Sequence, residues 1–237
     1  GDDTLNGGDG FDRAYFYSGV DHVIDLRITV SQDTGEGNDT LTSIESLYLG
    51  SGEDIVHGNS ERNYIFGGNG NDSLYGYEGN DTLNGGNGSD VMEGGDGNDY
   101  YYVNTSSDTV TEDPSKGTDI VYSSVTLTTP NNVENLTLLG SSGIDGVGNN
   151  LANTITGNIG NNELSGGDGI DNLYGNNGDD ILNGGNNNDN LYGGDGDDTL
   201  NGGNDLDTMV GGNGNDTYVV NHPNDDVIET SSSGGTD

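Results

Sequence analysis

The sequence contains no cysteine and no tryptophan, and only 3 phenylalanines and 3 prolines occur among its 237 residues. Without cysteine there is no disulfide, and because His22, His57 and His222 lie far apart, no zinc site is recognisable. Apolar residues make up only 27% of the chain, which excludes the thick core of a round globular domain. No apolar run approaches the roughly 20 residues of a membrane span, so membrane insertion is not expected.

Positive charge is equally scarce. Lys and Arg number 4 against 42 Asp and Glu, which gives a net charge of −38. Nucleic acids and anionic membranes are therefore excluded as partners, because binding them requires basic side chains that replace counterions. Cations are the natural partners of such a chain. So few apolar residues with so much charge normally indicate disorder, unless stacked repeats share a thin core.

Glycine is abundant, with 45 residues, and much of it belongs to a nonapeptide that recurs in register. Eight copies run from 148 to 219, six from 49 to 102, and one more spans 7–15 with Asp12 at its sixth position. The sixth position of the two long arrays is an acid or an amide: Asp54, Asn63, Asp72, Asp81, Asp90, Asp99, Asn153, Asn162, Asp171, Asp180, Asp189, Asp198, Asp207 and Asp216. The eighth position is apolar or aromatic: Val56, Ile65, Leu74, Leu83, Met92, Tyr101, Ile155, Leu164, Leu173, Leu182, Leu191, Leu200, Met209 and Tyr218. A fixed period of this kind predicts a solenoid.

The repeats divide the chain into arrays and connectors. The predicted segments are the end of an array (1–15), a connector (16–48), a repeat array (49–102), a second connector (103–147), a second array (148–219) and the start of a further connector (220–237). In the first connector, alternation over Ile24, Leu26, Ile28 and Val30 predicts a half-buried strand. In the second, strands are predicted at 120–122 and 135–139. The segment 98–103 recurs about 117 residues later at 215–220, so we expect a piece of a longer repetitive protein.

Each nonapeptide predicts a turn followed by a short strand. Glycine or asparagine at positions 1, 2 and 4 permits positive φ, and the last three residues place position 8 on one face of a strand. Two units make one coil of 18 residues, so units n and n+2 stack and bring Asp171 beside Asp189 and Asp180 beside Asp198. Bare carboxylates about 5 Å apart repel by roughly 3 kcal/mol at an effective dielectric of 20. Cations must lie between them, and a flexible all-oxygen site favours Ca²⁺ over Mg²⁺.

The repeats Gly166–Tyr174 and Gly193–Asn201 resemble the calcium-binding nonapeptides of the RTX, or hemolysin-type, family. The connectors resemble segments found between such arrays. The resemblance implies an all-β fold, a parallel β-roll or β-helix solenoid with strand-containing connectors. It also implies that half-sites of units n and n+2 hold each ion through the position-6 carboxylate and turn carbonyls. Export by type I secretion, with folding in extracellular calcium, is implied as well.

The candidate calcium ligands follow from this scheme. The carboxylates are Asp3, Asp12, Asp54, Asp72, Asp81, Asp90, Asp99, Asp171, Asp180, Asp189, Asp198, Asp207 and Asp216. The turn glycines are Gly67, Gly70, Gly85, Gly88, Gly166, Gly169, Gly184, Gly193, Gly196 and Gly202. Asn63, Asn153 and Asn162 replace the position-6 acid, so sites containing them are expected to bind weakly or not at all. Asn187 and Asp205 replace the position-4 glycine but tolerate the left-handed conformation.

Three functions remain open at this point. The first is a non-enzymatic structural or folding module of a secreted or cell-surface bacterial protein. The second is a building block of a surface layer or extracellular filament, formed by head-to-tail self-association. The third is an adhesive or polysaccharide-binding accessory to a secreted enzyme. Tyr174 and Tyr192 are expected to stack on one outer face, His57 is expected at the surface, and Glu45 and Glu134 are expected to be outer ligands or caps.

Overall fold

The computed structural model describes residues 1–229, and the part of the predicted last connector from 230 to 237 lies outside the described residues. The chain forms two compact units, Gly1–Asp119 and Ile120–Asp237. Every regular element of the described residues is a β-strand, which confirms the all-β prediction. Within these residues no helix is long and apolar enough to cross a membrane.

The first unit contains thirteen strands, most of them three to six residues long. They are β1 (Thr4–Asn6), β2 (Arg13–Phe16), β3 (Val23–Asp25), β4 (Gln32–Asp33), β5 (Asn38–Thr42), β6 (Ser46–Leu49), β7 (Ile55–His57), β8 (Tyr64–Asn69), β9 (Ser73–Glu78), β10 (Thr82–Asn87), β11 (Val91–Asp96), β12 (Tyr100–Val103) and β13 (Thr109–Thr111). The order β2-β6-β8-β10-β12 forms one parallel sheet, and β3-β7-β9-β11-β13 forms another. The strand β5 pairs with β1 in parallel and with β4 in antiparallel orientation.

The described part of the second unit repeats this arrangement. Its strands are β14 (Ile120–Ser123), β15 (Leu127–Thr128), β16 (Asn135–Leu138), β17 (Gly146–Val147), β18 (Thr154–Thr156), β19 (Glu163–Asp168), β20 (Asn172–Asn177), β21 (Ile181–Asn186), β22 (Asn190–Asp195), β23 (Thr199–Gly203), β24 (Thr208–Asn213), β25 (Thr217–Val219) and β26 (Asp226–Ile228). Even-numbered strands form one parallel sheet and odd-numbered strands the other.

The strand register confirms that alternate repeats stack. Leu173 pairs with Leu191, and Leu191 pairs with Met209, so each partner lies 18 residues along the chain. Outer side chains follow the same register. Tyr174 and Tyr192 stack with ring centroids 4.9 Å apart, as expected. Each unit is therefore a parallel β-solenoid, and the coil of its repeat array is two nonapeptides long.

In the repeat arrays the core consists of the position-8 side chains. Thirteen of the fourteen position-8 residues, Tyr218 being the other, are fully buried. Flanking residues face outward, as the alternating burial of the strand Asn172–Asn177 shows. Burying a leucine contributes about 1.5–3 kcal/mol, so one such residue per nine gives a thin core.

The repeat strands are longer than the three residues predicted. The strand Ser73–Glu78 covers positions 7 to 9 of one repeat and positions 1 to 3 of the next. Glycine at position 2 adopts positive φ and continues the ladder, and where another residue stands there, as at Tyr77 and Asn176, φ is positive too. At position 4, Asn187 and Asp205 each have a φ of 76°, so the left-handed turn is retained there as predicted.

The predicted strand over Ile24, Leu26, Ile28 and Val30 is wrong beyond Asp25. The strand ends there because Oδ1 of Asp25 accepts a hydrogen bond from the backbone N–H of Arg27 and starts a turn. Ile24 and Leu26 are buried, whereas Ile28 and Val30 are exposed. The strands predicted at 120–122 and 135–139 are present as β14 and β16, and they stack in parallel on each other.

Candidate calcium-binding ladder

The position-6 aspartates form a hydrogen-bonded ladder along each edge of the coils. The backbone N–H of Asp171 donates to Oδ1 of Asp189 at 2.8 Å, and that of Asp189 donates to Asp207 at 2.9 Å. In the first unit the N–H of Asp54 donates to Asp72 at 2.8 Å. Each carboxylate thus has one oxygen fixed by the preceding coil of its own edge. The pairs that the 18-residue period predicted are brought together.

The second carboxylate oxygen is buried and has no hydrogen-bond partner. This holds for Oδ2 of Asp12, Asp54, Asp72, Asp81, Asp90, Asp99, Asp171, Asp180, Asp189, Asp198 and Asp207. A buried polar atom without a partner is costly, and a buried charge costs more. A column of such atoms indicates that something absent from the protein chain completes the arrangement.

Burial opposes the charge that these carboxylates carry in water. It raises the pKa of Asp72, Asp81, Asp189 and Asp198 to about 7. It raises those of Asp90, Asp99, Asp171 and Asp180 to about 6, again chiefly by desolvation. Neighbouring carboxylates add to the effect, as Asp171 and Asp207 do at Asp189. The column therefore holds its full charge near neutral pH only if cations compensate it.

Glycine at position 1 leaves a small space beside each unpartnered oxygen. A methyl group added to Gly184 would lie 2.4 Å from Oδ2 of Asp189 and 2.4 Å from the carbonyl oxygen of Gly202. At Gly166 it would lie 2.2 Å from Oδ2 of Asp171 and 2.6 Å from the carbonyl of Gly184. The same convergence recurs at Gly67 with Gly85 and at Gly175 with Gly193. Carboxylate and carbonyl oxygens are the ligands that Ca²⁺ prefers, so the donor set fits this ion.

The predicted position-4 glycines have a different setting. A methyl group on Gly88 would lie 1.5 Å from the carbonyl oxygen of Gly70, and one on Gly196 would lie 2.0 Å from that of Gly178. At Gly169 the nearest atom is the carbonyl oxygen of Leu151, at 2.2 Å. These glycines let successive turns stack closely, and they have the positive φ that the turn requires.

Asparagine at position 6 makes its hydrogen bonds to the neighbouring backbone without an ion. Nδ2 of Asn153 donates to the carbonyls of Val133 and Glu134, at 3.1 and 3.2 Å. Nδ2 of Asn162 donates to the carbonyl of Ile144. Oδ1 of each residue instead faces the position-1 glycine, because a methyl group on Gly148 or Gly157 would lie 2.6 or 2.5 Å from it. Weak or absent metal binding at the asparagine positions stays a prediction.

The candidates nearest the start of the chain differ from the others. Asp3 is largely exposed, with 71% of its side chain accessible. Oδ1 of Asp54 accepts hydrogen bonds from the backbone N–H and from Nδ1 of His22, at 2.7 and 2.9 Å. On the other edge, the N–H of Asp12 donates to Oε2 of Glu45 at 2.9 Å, so Glu45 takes the place of the next position-6 residue. His57 is half-buried and stacks on Tyr75 rather than lying free at the surface.

The ladders continue into the connectors through three aspartates that the sequence did not lead us to predict. The N–H of Asp90 donates to Oδ1 of Asp108, and that of Asp207 donates to Oδ1 of Asp225, both at 3.2 Å. The N–H of Asp99 donates to Oδ1 of Asp119 at 2.8 Å. The first two lie 18 residues after their partners, so extending the period past the arrays was a usable signal.

The comparison with protein families agrees with this geometry. The model of the RTX calcium-binding nonapeptide repeat matches residues 1–23, 48–83, 75–110, 147–182, 156–189 and 183–218. These segments together cover about two thirds of the chain. A search of curated proteins gave no significant match. RTX repeats bind Ca²⁺, and the buried aspartates of the ladders are consistent with several ions. The chain belongs to the RTX calcium-binding nonapeptide repeat family.

Proposed function

We propose that this chain is a structural module that folds when it meets extracellular calcium and stabilises a secreted or cell-surface bacterial protein. The observation that supports this is the column of buried carboxylates with one unpartnered oxygen each. At a calcium concentration of about 1 mM, a site with a dissociation constant of about 10⁻⁴ M contributes roughly 1.4 kcal/mol. Several such sites together match the net stability of a whole domain.

A calcium titration tests this function. Circular dichroism of the whole chain, recorded as EGTA is added, should show loss of the sheet signal and a falling melting temperature. Magnesium at the same concentration should not restore them, because Mg²⁺ requires a rigid octahedral site. A sheet signal and melting temperature that survive chelation contradict the proposal.

RTX β-rolls are structural repeat folds and are generally not catalytic, so we propose that the module itself has no enzymatic activity. Export by type I secretion follows from the same family relationship. The low calcium of the cytosol keeps such repeats unfolded until they leave the cell. Fractionation of a producing culture tests this step, with the chain expected outside the cells.

A second candidate function is binding of an anionic polysaccharide, for which an aromatic strip and a pair of arginines in the first unit offer a local site despite the net charge of −38. Tyr48 stacks on Tyr15 with centroids 5.0 Å apart and lies 5.4 Å from Tyr64. Arg13 and Arg62, two of the four Lys and Arg residues, line a depression together with Tyr48 and Tyr64. Flat aromatic faces fit sugar rings, and guanidinium groups pair with carboxylates.

A glycan array distinguishes this second candidate. Uronate-containing polysaccharides should bind the chain, and Tyr48→Ala should abolish binding. Tyr192→Ala is the matched control, because Tyr192 stacks on Tyr174 in the second unit, whose sequence contains no arginine. Assembly into a surface layer or filament remains the other proposal, and electron microscopy with and without calcium tests it.

A further inference from the structure

The first array ends with a glutamate in place of a glycine. The strand Thr109–Thr111 pairs with Val91–Asp96, so that Val110 lies opposite Met92. Continuing this register places Glu112 opposite Gly94, the position-1 glycine of the last repeat. In the coil before, the same register places Gly94 opposite Gly76. A carboxylate side chain therefore lies at the register position where each preceding coil of this edge has a glycine with its backbone carbonyl.

Three carboxylates and a phenol meet at this point. One oxygen from each of Asp99, Glu112 and Asp119 lies within 4.8 Å of the others, and all three residues are buried. The hydroxyl of the fully buried Tyr101 accepts a hydrogen bond from the N–H of Gly94 at 2.7 Å and donates to Oε1 of Glu112. Such a set of hard oxygen donors suits Ca²⁺.

An unpartnered oxygen points into the same space. Oδ2 of Asp99, on a fully buried side chain, has no hydrogen-bond partner. A methyl group on Gly94 would lie 2.2 Å from this oxygen and 2.2 Å from the hydroxyl of Tyr101. At Gly76 the corresponding neighbours are Oδ2 of Asp81 and, at 2.8 Å, the carbonyl oxygen of Gly94. The Tyr101 hydroxyl thus stands in for the carbonyl of a further repeat.

The same constellation recurs 117 residues later. Asp216, Tyr218 and Glu229 correspond to Asp99, Tyr101 and Glu112. The Tyr218 hydroxyl accepts from the N–H of Gly211 at 2.8 Å and donates to Glu229. The sequence counterpart of Asp119 lies outside the described residues. Two independent copies of one arrangement, each at the end of an array, indicate a built feature.

We propose that Asp99, Glu112 and Asp119, together with the Tyr101 hydroxyl, form a closing calcium site that differs in composition from the sites of the repeats. Three carboxylates bring more negative charge than one rung of the ladder does, and ligand charge tunes calcium affinity. The closing site therefore binds more tightly than the repeat sites and fills first. The proposal rests on calcium binding by the arrays, which the experiment measures separately.

The first experiment counts ions. Native mass spectrometry of the calcium-loaded chain should show one ion fewer for Glu112→Gln than for the unaltered protein. Glu93→Gln is the matched control, because Glu93 is an exposed carboxylate on the neighbouring strand. An unchanged count in Glu112→Gln overturns the closing site while leaving calcium binding intact. A wild-type chain that binds no calcium overturns the proposed function itself.

A second measurement remains decisive if Glu112→Gln does not fold. The chain has no tryptophan, so tyrosine sensitises the emission of bound terbium, which replaces calcium. Emission from the first terbium added should fall in Tyr101→Phe and remain in Tyr100→Phe, whose ring is on the outer face. Equal emission from the two variants overturns the proposal, because the first ion then lies elsewhere.

Discussion

Replacing one rung of the ladder with its neutral isostere separates calcium binding from mere structural support. In Asp189→Asn, Oδ1 remains as acceptor for the N–H of Asp171, which donates to it at 2.8 Å in the unaltered chain. The amide Nδ2 takes the place of the unpartnered Oδ2 and can donate to the carbonyl of Gly202, which converges on the same space. The variant therefore keeps the hydrogen bonds of the rung and loses only its charge.

The expected change in the free energy of unfolding of Asp189→Asn has opposite signs with and without calcium. Without calcium, removing one charge from between Asp171 and Asp207 relieves repulsion that is roughly 3 kcal/mol per bare pair at an effective dielectric of 20. Solvent screening and partial protonation reduce this, so we expect a gain of about 2 kcal/mol at pH 8. With calcium, each lost ion removes about 1.4 kcal/mol at 1 mM and a dissociation constant of about 10⁻⁴ M.

Thermal melts at a series of free calcium concentrations measure both effects. The free energy of unfolding rises with the logarithm of calcium concentration, and the slope reports the number of ions bound on folding. For Asp189→Asn, the free energy of unfolding should be higher at low calcium than for the unaltered chain. It should also rise less steeply with calcium concentration. Asp168→Asn, the same change on an exposed outer residue, should leave the line unchanged. A parallel line displaced to lower stability refutes the reasoning, because Asp189 then acts only as a structural acceptor.

Three further predictions follow from the same geometry. Gly184→Ala should lower the free energy of unfolding in calcium by about 1–3 kcal/mol, because its methyl group would overlap the oxygens of Asp189 and Gly202. Thermal melts measure this, with Gly19→Ala as the control, because a methyl group there meets no atom within 4 Å. Asn162→Asp should add a calcium ion and steepen the calcium dependence of stability, so an unchanged slope contradicts it. In calcium-free buffer, stability should fall as pH rises from about 4 to about 7, because burial raises the folded pKa of Asp72, Asp81, Asp189 and Asp198 from the ordinary 3.8 to about 7. Greater stability at pH 8 than at pH 5 in dichroism melts contradicts the sign.

The features predicted correctly from the sequence are those that the period of nine determines. An apolar residue at position 8, such as Leu173, must face inward, and an 18-residue coil must bring Asp171 beside Asp189. The predicted length of the repeat strands was wrong because the alternation of polar and apolar residues depends on side chains only. Gly76, Tyr77 and Glu78 extend the strand Ser73–Glu78 through backbone hydrogen bonds, which no alternation of polarity marks.

The connectors were harder to predict because their coils differ in length. Asp119 follows its ladder partner Asp99 by 20 residues, so a fixed period does not find it. Glu112 occupies the register position of a glycine, and nothing in its sequence context shows that its side chain turns inward. The alternation that ends at Val30 failed for another reason. The N–H of Arg27 donates to Oδ1 of Asp25, and this local turn outweighs the strand propensity of the exposed residues that follow.

Calcium acts on the charge of the ladder rather than on its backbone. Backbone N–H groups along the ladder, such as those of Asp171 and Asp180, donate to the next coil without any ion. What remains unbalanced along the ladder is the column of Oδ2 atoms. Where the chain begins its second array it avoids that imbalance, since Asn153 and Asn162 are uncharged and their amides donate to carbonyl oxygens. These two repeats can form before any ion binds. They then present the N–H groups that fix Asp171 and Asp180, at 2.7 Å each, so the first carboxylates of the array are oriented in advance of the metal.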